Sequence, residues 1–443
     1  MNTGRIIQKS IPAWWRLMLL ILLTGMLLFL TFNRHSRSGM YNYHSEIWGD
    51  KAGYYVYLPA TFIYSFDASR FPPGIDTATG NGFRLDLLDN RVVTKYSCGV
   101  AVMLSPFFLA THAIAGALDA PRDGFSMPYH KMIDVAAVIY LMAGVILWYR
   151  VLRKYFSQQV SMMTITALFL GTNLYYYAVD ETGMSHIYSF FLFSLYLFAI
   201  QRIFSGPDPK LKWIILTGVS AAMIVLVRPV NAVFLPVILF LDATSREEIS
   251  RRISSLIKWQ HLLILLCIAF LVLLPQLLYW NHTYQKFLMY TYQGEGFTNL
   301  ASPALTRYLF STNNGLILYN PILLFSICGM ILMLIRRNEN GRMAAVLFLL
   351  VIYLFSSWWN WYYGCGFGNR SFTEYTSIMA IPFGYQMNTI LQHRWKTLKW
   401  LWIIILCILV IMNLKMIYSW DGCWYGSTWD WDRFFKLLIA PPK

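Results

Sequence analysis

The chain has 443 residues, 57% of them hydrophobic and 13% charged, with a formal net charge of +15. A soluble domain carries about 25% charged residues, so composition excludes an ordinary water-soluble globule, and the alternating short segments of a membrane β-barrel are missing too. The positive charge does not point to nucleic acid: the basic residues fall in short clusters between apolar runs, where the positive-inside bias puts them, and no Gly-rich, zinc-finger or RNA-binding motif accompanies them.

The first apolar run, Trp14 to Phe32, has Arg5, Lys9 and Arg16 on its N-terminal side. A signal peptide would have a shorter apolar core and a small-residue cleavage site, so the run reads as a retained first span, about 13–32, starting in the cytoplasm. A long outer segment follows, about 33–129. The second span, about 130–149, ends at Arg150, Arg153 and Lys154. The third, about 160–178, runs outward to Asp180 and Glu181, and the fourth, about 184–203, returns to Lys210 and Lys212. The fifth and sixth share the run 213–242, broken near Arg228-Pro229, and leave the basic segment Arg246 to Lys258 inside. The seventh is about 260–280 and opens a second larger outer loop, 281–315. The eighth, about 317–335, ends at Arg336 and Arg337. The ninth, about 343–358, emerges at Trp358-Trp359-Asn360-Trp361. The tenth, about 373–391, returns to Arg394, Lys396 and Lys399. The eleventh, about 399–418, puts the aromatic C-terminal tail outside. Every short inner connection carries two or more basic residues. The expected fold is therefore an all-α polytopic membrane protein, a single domain over 1–443 with about 11 transmembrane helices, N-terminus in and C-terminus out.

Tyr96 to Leu118 is also long enough to span. Were it to do so, every later segment would invert, and Arg150, Arg153, Lys154 and the Arg246 to Lys258 cluster would lie outside. It also holds Ser97, Cys98, Ser105, Pro106, Thr111 and His112. It therefore reads as an interfacial or re-entrant helix on the outer leaflet, as does the tyrosine-rich segment Ala52 to Phe66. Segment 67–95 is the largest candidate for an outer cap. Of the six cysteines, Cys267, Cys328 and Cys407 fall inside apolar runs, while Cys365 and Cys423 fall in outer segments and could pair.

Only 21 acidic residues exist, so their placement is informative. Asp50 lies soon after the first span, among aromatics, where apolar surroundings suit a carboxylate to general-base work or metal binding. Glu46, four residues earlier, could share a helical face with it. Asp180-Glu181 forms a short loop between the third and fourth spans. Two adjacent carboxylates there suit a cation, an acceptor hydroxyl, or simple helix capping. His186 lies one turn into the fourth span and is by itself most often a packed histidine. Arg370 sits in Gly364-Cys365-Gly366-Phe367-Gly368-Asn369-Arg370, just before a helix start. A guanidinium beside free amides suits a phosphate, and the neighbouring tryptophans suit sugar faces or the lipid interface. Arg228 interrupts an apolar run, where a charge is costly unless paired or hydrated. Lys95, Arg307 and Lys286 are weaker cationic candidates on the same side.

Four segments together resemble the family C glycosyltransferases, nearest to the bacterial branch of protein O-mannosyltransferases and the lipid A aminoarabinose transferase. These are Asp50 to Pro59; Lys95-Tyr96 with the apolar run to Ser105-Pro106-Phe107-Phe108; Tyr175-Tyr176-Tyr177 to Asp180-Glu181 and Met184-Ser185-His186; and Asn313-Asn314-Gly315 to Asn320-Pro321 with Trp358-Trp359 and Gly368-Asn369-Arg370. One departure is the absence of a tight Asp-Glu or DxD pair in loop one. The resemblance implies transfer of a sugar from a polyprenyl-phosphate donor to an acceptor hydroxyl on a glycan, lipid or protein, at the outer face of a bacterial inner membrane. It makes Asp50 the base, and Arg370, with Arg228 and Lys95, the binder of the donor phosphate. It gives Asp180, Glu181, Glu46 and His186 to the acceptor or to a metal, and any divalent cation to Asp50, Asp180 and Glu181. It places the lipid tail in outer-leaflet grooves. A secondary transporter or flippase for an envelope precursor, and a polysaccharide ligase or polymerase, are the rival readings. Sequence names neither the sugar nor the acceptor.

The charge pattern predicts that Asp180, Arg370 and the C-terminal tail all face outward. Single cysteines at these places, in a cysteine-free background, should react with an impermeant reagent in intact cells. Labelling only after the inner membrane is permeabilised would refute the topology.

Overall fold

The computed structural model describes residues 13–36, 39–206, 208–420, 430–439 and 441. It is a bundle of helices with one short hairpin. Helix α1 is Ala13–His35. Loop one then forms a cap: α2 Asp50–Tyr55, a second short helix Tyr57–Phe62, the antiparallel pair β1 Arg84–Asp86 and β2 Arg91–Val93, and α3 Gly99–Ala115. The main bundle follows as α4 Met127–Leu152, α5 Gln158–Gly171, α6 Leu174–Val179, α7 Ser185–Ile203 and α8 Leu211–Val227. It continues as α9 Trp259–Tyr284, α10 Leu323–Ile335, α11 Glu339–Ser356, α12 Thr376–Leu391 and α13 Lys396–Ser419. A short amphipathic helix, α14 Trp431–Ile439, packs on α13 through Phe434 and Leu437.

Among the described residues six helices are long and apolar enough to cross a membrane: α1 (over Leu17–His35), α4, α7, α9, α11 and α13. The protein is a multi-pass integral membrane protein of all-α class, as expected. The other expected spans are shorter or broken, and asparagine and proline mark the breaks. The third expected span divides at Thr172-Asn173 into α5 and α6, and the eighth divides at Asn320-Pro321 before α10. An apolar helix can break in this way only if the freed backbone groups find partners. Here Asn320 Oδ1 accepts from Asn173 N at 2.6 Å, Asn173 Nδ2 donates to the Asn369 carbonyl at 3.1 Å, and Asn413 Nδ2 donates to the Tyr319 carbonyl at 2.8 Å. All four asparagines are buried. They tie α5–α6, α10, α13 and the segment before α12 together at one level.

The shared run 213–242 also behaves as two elements. Helix α8 ends at Arg228, which has an extended backbone, and the chain returns as the 3₁₀ turn Pro229–Phe234 and the short helix Val237–Phe240. Asp242 closes that return. It accepts from Lys154 Nζ at 2.5 Å, Tyr155 Oη at 2.8 Å and Asn340 Nδ2 at 2.7 Å. This is the end of the bundle that carries the basic connections.

Helix α3 packs against α4 and α8. Its start is pinned by Ser97 to the Val227 carbonyl at 3.2 Å, and its last turns by His112 to Tyr129 at 2.7 Å, beside the start of α4. Between these contacts Tyr140 Oη of α4 donates to the Met103 carbonyl at 2.8 Å, so α3 lies along α4. Cys365 is disulfide-bonded, and Cys98, Cys267, Cys328 and Cys407 are free. Cys423, with which it could pair, lies outside the described residues.

Candidate active site

The acidic residues singled out from sequence gather at the bundle end opposite Asp242. Asp50 opens α2 directly after Gly49, whose φ of +57° lies in the left-handed region that favours glycine. That turn also separates Asp50 from Glu46: Glu46 precedes the helix and faces elsewhere, so the two do not share a helical face. Asp50 Oδ2 accepts from Arg370 Nη1 at 2.8 Å, and its Oδ1 accepts from the Tyr96 hydroxyl. The Asp50 and Arg370 side chains are 36% and 26% exposed, so the pair lines an open cleft. Burial pushes the Asp50 carboxyl up, but the Arg370 guanidinium and the Tyr96 hydroxyl outweigh it and hold the group below its usual range.

Arg370 is held by the segment before α12. Gly368, with φ +66°, turns the chain, Asn369 caps the 3₁₀ turn Arg370–Tyr375 by accepting from Ser371 N, and Asn369 Nδ2 donates to the Trp361 carbonyl at 3.2 Å. At the far end of that turn Glu374 is fully buried. It accepts from Arg228 Nη1, from Asn231 Nδ2 at 2.9 Å and from His186 Nδ1 at 3.0 Å. Arg228 and His186 are thus neighbours, as members of a buried network under the cleft. Tyr375 Oη completes it by donating to Asn231 Oδ1 at 3.1 Å.

The remaining candidates take separate partners. Lys95 pairs with Glu295 and lies over the rings of Tyr96 and Tyr292, 5.5 and 5.3 Å from their centroids. Asp180 pairs with Arg34 of α1, and burial, against the pull of that guanidinium, pushes its carboxyl up to about 6. Its chain neighbour Glu181 turns to Lys51, at 2.8 Å. Asp50, Asp180 and Glu181 therefore have three different cationic partners. Glu46 sits with His35, His130 and Lys131, a cluster that also includes Asp134 of α4. An apolar cleft of about 460 Å³ opens beside Tyr96, between α3, α9 and the Tyr57–Phe62 helix, lined among others by Tyr57, Phe62, Val102, Leu278 and Tyr279. Tyr57 joins the two places: its ring lines this cleft and its hydroxyl donates to the Tyr96 carbonyl at 2.7 Å.

Sequence reasoning missed Glu374, Lys51 and the positioning hydroxyl of Tyr96. Glu374 carried a usable signal, because an acid near the start of an apolar run is costly unless it is paired.

No protein-family model and no curated protein matches the chain. Among solved structures, ArnT from Cupriavidus metallidurans bound to undecaprenyl phosphate is similar at a TM-score of 0.55 and 12% identity, over 92% of this chain and 65% of that one. The apo state of the same protein gives 0.54 at 12% identity, with the same coverage. The Archaeoglobus fulgidus oligosaccharyltransferase in its apo form gives 0.48 at 14% identity, over 91% of this chain and 55% of that one. The chain thus has the fold of the family C membrane glycosyltransferases, as seen in ArnT, and spans 65% of the length of ArnT.

Losing Glu374 would strand the Arg228 guanidinium, which is 13% exposed. Breaking such a pair from one side costs about 3–5 kcal/mol. Glu374→Ala should therefore melt well below the parent in detergent, while Asp50→Asn, in a part-exposed pair, should melt near it. A Glu374→Ala protein as stable as the parent would show that the network carries no stability.

Proposed function

We propose that the protein is a glycosyltransferase that moves a sugar from a polyprenyl-phosphate donor to an acceptor hydroxyl on the extracytoplasmic face of the membrane. The observation that carries the reading is the Asp50–Arg370 pair: a carboxylate and a guanidinium in direct contact, part-exposed, at the cleft of a bundle with the ArnT fold. The gathering of acids at one end of the bundle supports an enzyme over a transporter, whose polar site would lie near the midplane.

The chemistry follows from exchanging partners. Asp50 held by Arg370 is a weak base, because the guanidinium stabilises its charged form. The donor phosphate takes Arg370, which can grip two phosphate oxygens at once. Asp50 is then released toward the acceptor and becomes more basic. It takes the proton from the acceptor hydroxyl as the acceptor oxygen bonds to the anomeric carbon. The bond from that carbon to the phosphate oxygen breaks, polyprenyl phosphate leaves with the electron pair, and the centre inverts. Lys95 and Arg228 add positive potential around the phosphate. Asp180 and Glu181, each buried in its own ion pair, brace the loop under the cleft. The apolar cleft by Tyr57 and Leu278 suits the start of the lipid tail, which fits a lipid-linked donor.

Removing general-base help costs about 10²–10⁴-fold in rate. Asp50→Asn should lose turnover on that scale while still binding donor; near-parent turnover would take Asp50 out of the mechanism.

The acid limb of kcat/KM reports the free enzyme and that of kcat the loaded one. With Arg370 drawn to the phosphate, the kcat limb should lie at higher pH than the kcat/KM limb. Tyr96→Phe, which removes a hydrogen bond to the ionised Asp50, should move the kcat/KM limb to higher pH. Coincident limbs that ignore Tyr96→Phe would contradict the exchange.

A further inference from the structure

The cluster around Glu46 is not used by this mechanism. Glu46 and Asp134 are buried, at 4% and 0% exposure, and between them stands His35, at 4%. Lys131 touches both carboxylates, at 2.8 and 3.4 Å, from a side chain that is 32% exposed. His130 Nδ1 also reaches Glu46, 3.0 Å from Oε2.

The hydrogen bonds of His35 leave one buried atom of the cluster without a partner. Its Nε2 lies 3.1 Å from the Val179 carbonyl, which can only accept, so Nε2 carries a proton and donates it. In the neutral ring Nδ1 then bears a lone pair. Nδ1 is buried and has no hydrogen-bond partner, and it faces Glu46 Oε1 at 3.4 Å. A lone pair aimed at a carboxylate is repulsive unless a positive charge lies between them. One ligand atom from each of His35, Glu46 and Asp134 falls within 4.8 Å of the others. A donor set of one imidazole and two carboxylates, whose histidine gives its other N–H to a carbonyl, is the arrangement of a divalent transition-metal site.

We propose that His35, Glu46 and Asp134 bind a divalent transition-metal ion of the zinc class. The imidazole nitrogen favours such an ion over magnesium or calcium, which prefer all-oxygen sites. Lys131, at the solvent edge, is the group that gives way when the ion enters. The ion ties the end of α1 to α4 and to loop one, four residues before Asp50. Its place is therefore structural, as an anchor for the loop that carries the candidate base. This inference does not depend on the sugar-transfer reading, because its readout is the metal.

The test uses the full-length protein in detergent, stripped with a chelator and reloaded with Zn²⁺ or Co²⁺. Elemental analysis after desalting should give one ion per chain. Co²⁺ should give visible absorption bands of a low-symmetry site with nitrogen and oxygen ligands. Asp134→Asn and Glu46→Gln, which keep shape, and His35→Ala should each lose that ion, while His261→Ala, at the start of α9 where it contacts the Ser255 carbonyl, keeps it. Should a variant fail to fold, the Co²⁺ spectrum and stoichiometry of the parent still decide. Less than a tenth of an ion per chain in the reloaded parent would overturn the site, leaving a proton on Nδ1 as the compensating charge. Full retention of the ion by folded Asp134→Asn, Glu46→Gln and His35→Ala would overturn it equally.

Discussion

The contact between Asp50 and Arg370 is the constraint around which one end of the bundle is arranged. It joins residues 320 positions apart, one in the first loop and one just before α12. A part-buried ion pair of this kind stabilises little by itself, because desolvation offsets most of the attraction. What it requires is precision: two backbone segments held in register by something other than the pair. On one side the Gly49 turn and the Tyr96 hydroxyl fix Asp50. On the other side the asparagine network and the Glu374 cluster fix the turn that bears Arg370. A pair held this way is stable at rest and exchangeable, since a phosphate offers Arg370 more oxygens than one carboxylate does.

The buried charges beneath it follow the same rule. Arg34 with Asp180, Lys51 with Glu181 and Arg228 with Glu374 each join different chain segments, and each would be costly to break from one side. They make this end rigid, as pre-organised charge stabilisation demands. At the opposite end Asp242 gathers three neighbours.

The spans could be read from sequence because hydrocarbon imposes length and charge rules on each segment alone. Asp50 and Arg370 stood out for a similar reason: a charge among aromatics or glycines at a span end is a local anomaly. Partner choice was not legible. Glu46 and Asp50 are four residues apart, yet a single left-handed glycine sends them to different neighbours. Asp180 and Glu181 are adjacent, yet a short loop turns one to α1 and the other to loop one. The breaks at Asn173 and Asn320 had a visible cause, an asparagine in an apolar run, but the partners that make them tolerable lie 94 to 196 residues away. Glu374 needed the same three-dimensional information: only the fold reveals that Arg228 and Asn231 come to it.

The central claim is that Asp50 and donor phosphate compete for Arg370. Affinity of the purified protein for polyprenyl phosphate, measured for the parent, Asp50→Asn and Arg370→Lys in the same detergent, tests it most directly. The account predicts that Asp50→Asn binds the lipid phosphate more tightly than the parent, because the competing carboxylate is gone. It also predicts that Arg370→Lys binds more weakly, because an ammonium grips as a point charge. Weaker binding by Asp50→Asn together with unchanged binding by Arg370→Lys would contradict it, and Arg370 would then be an anchor for α12.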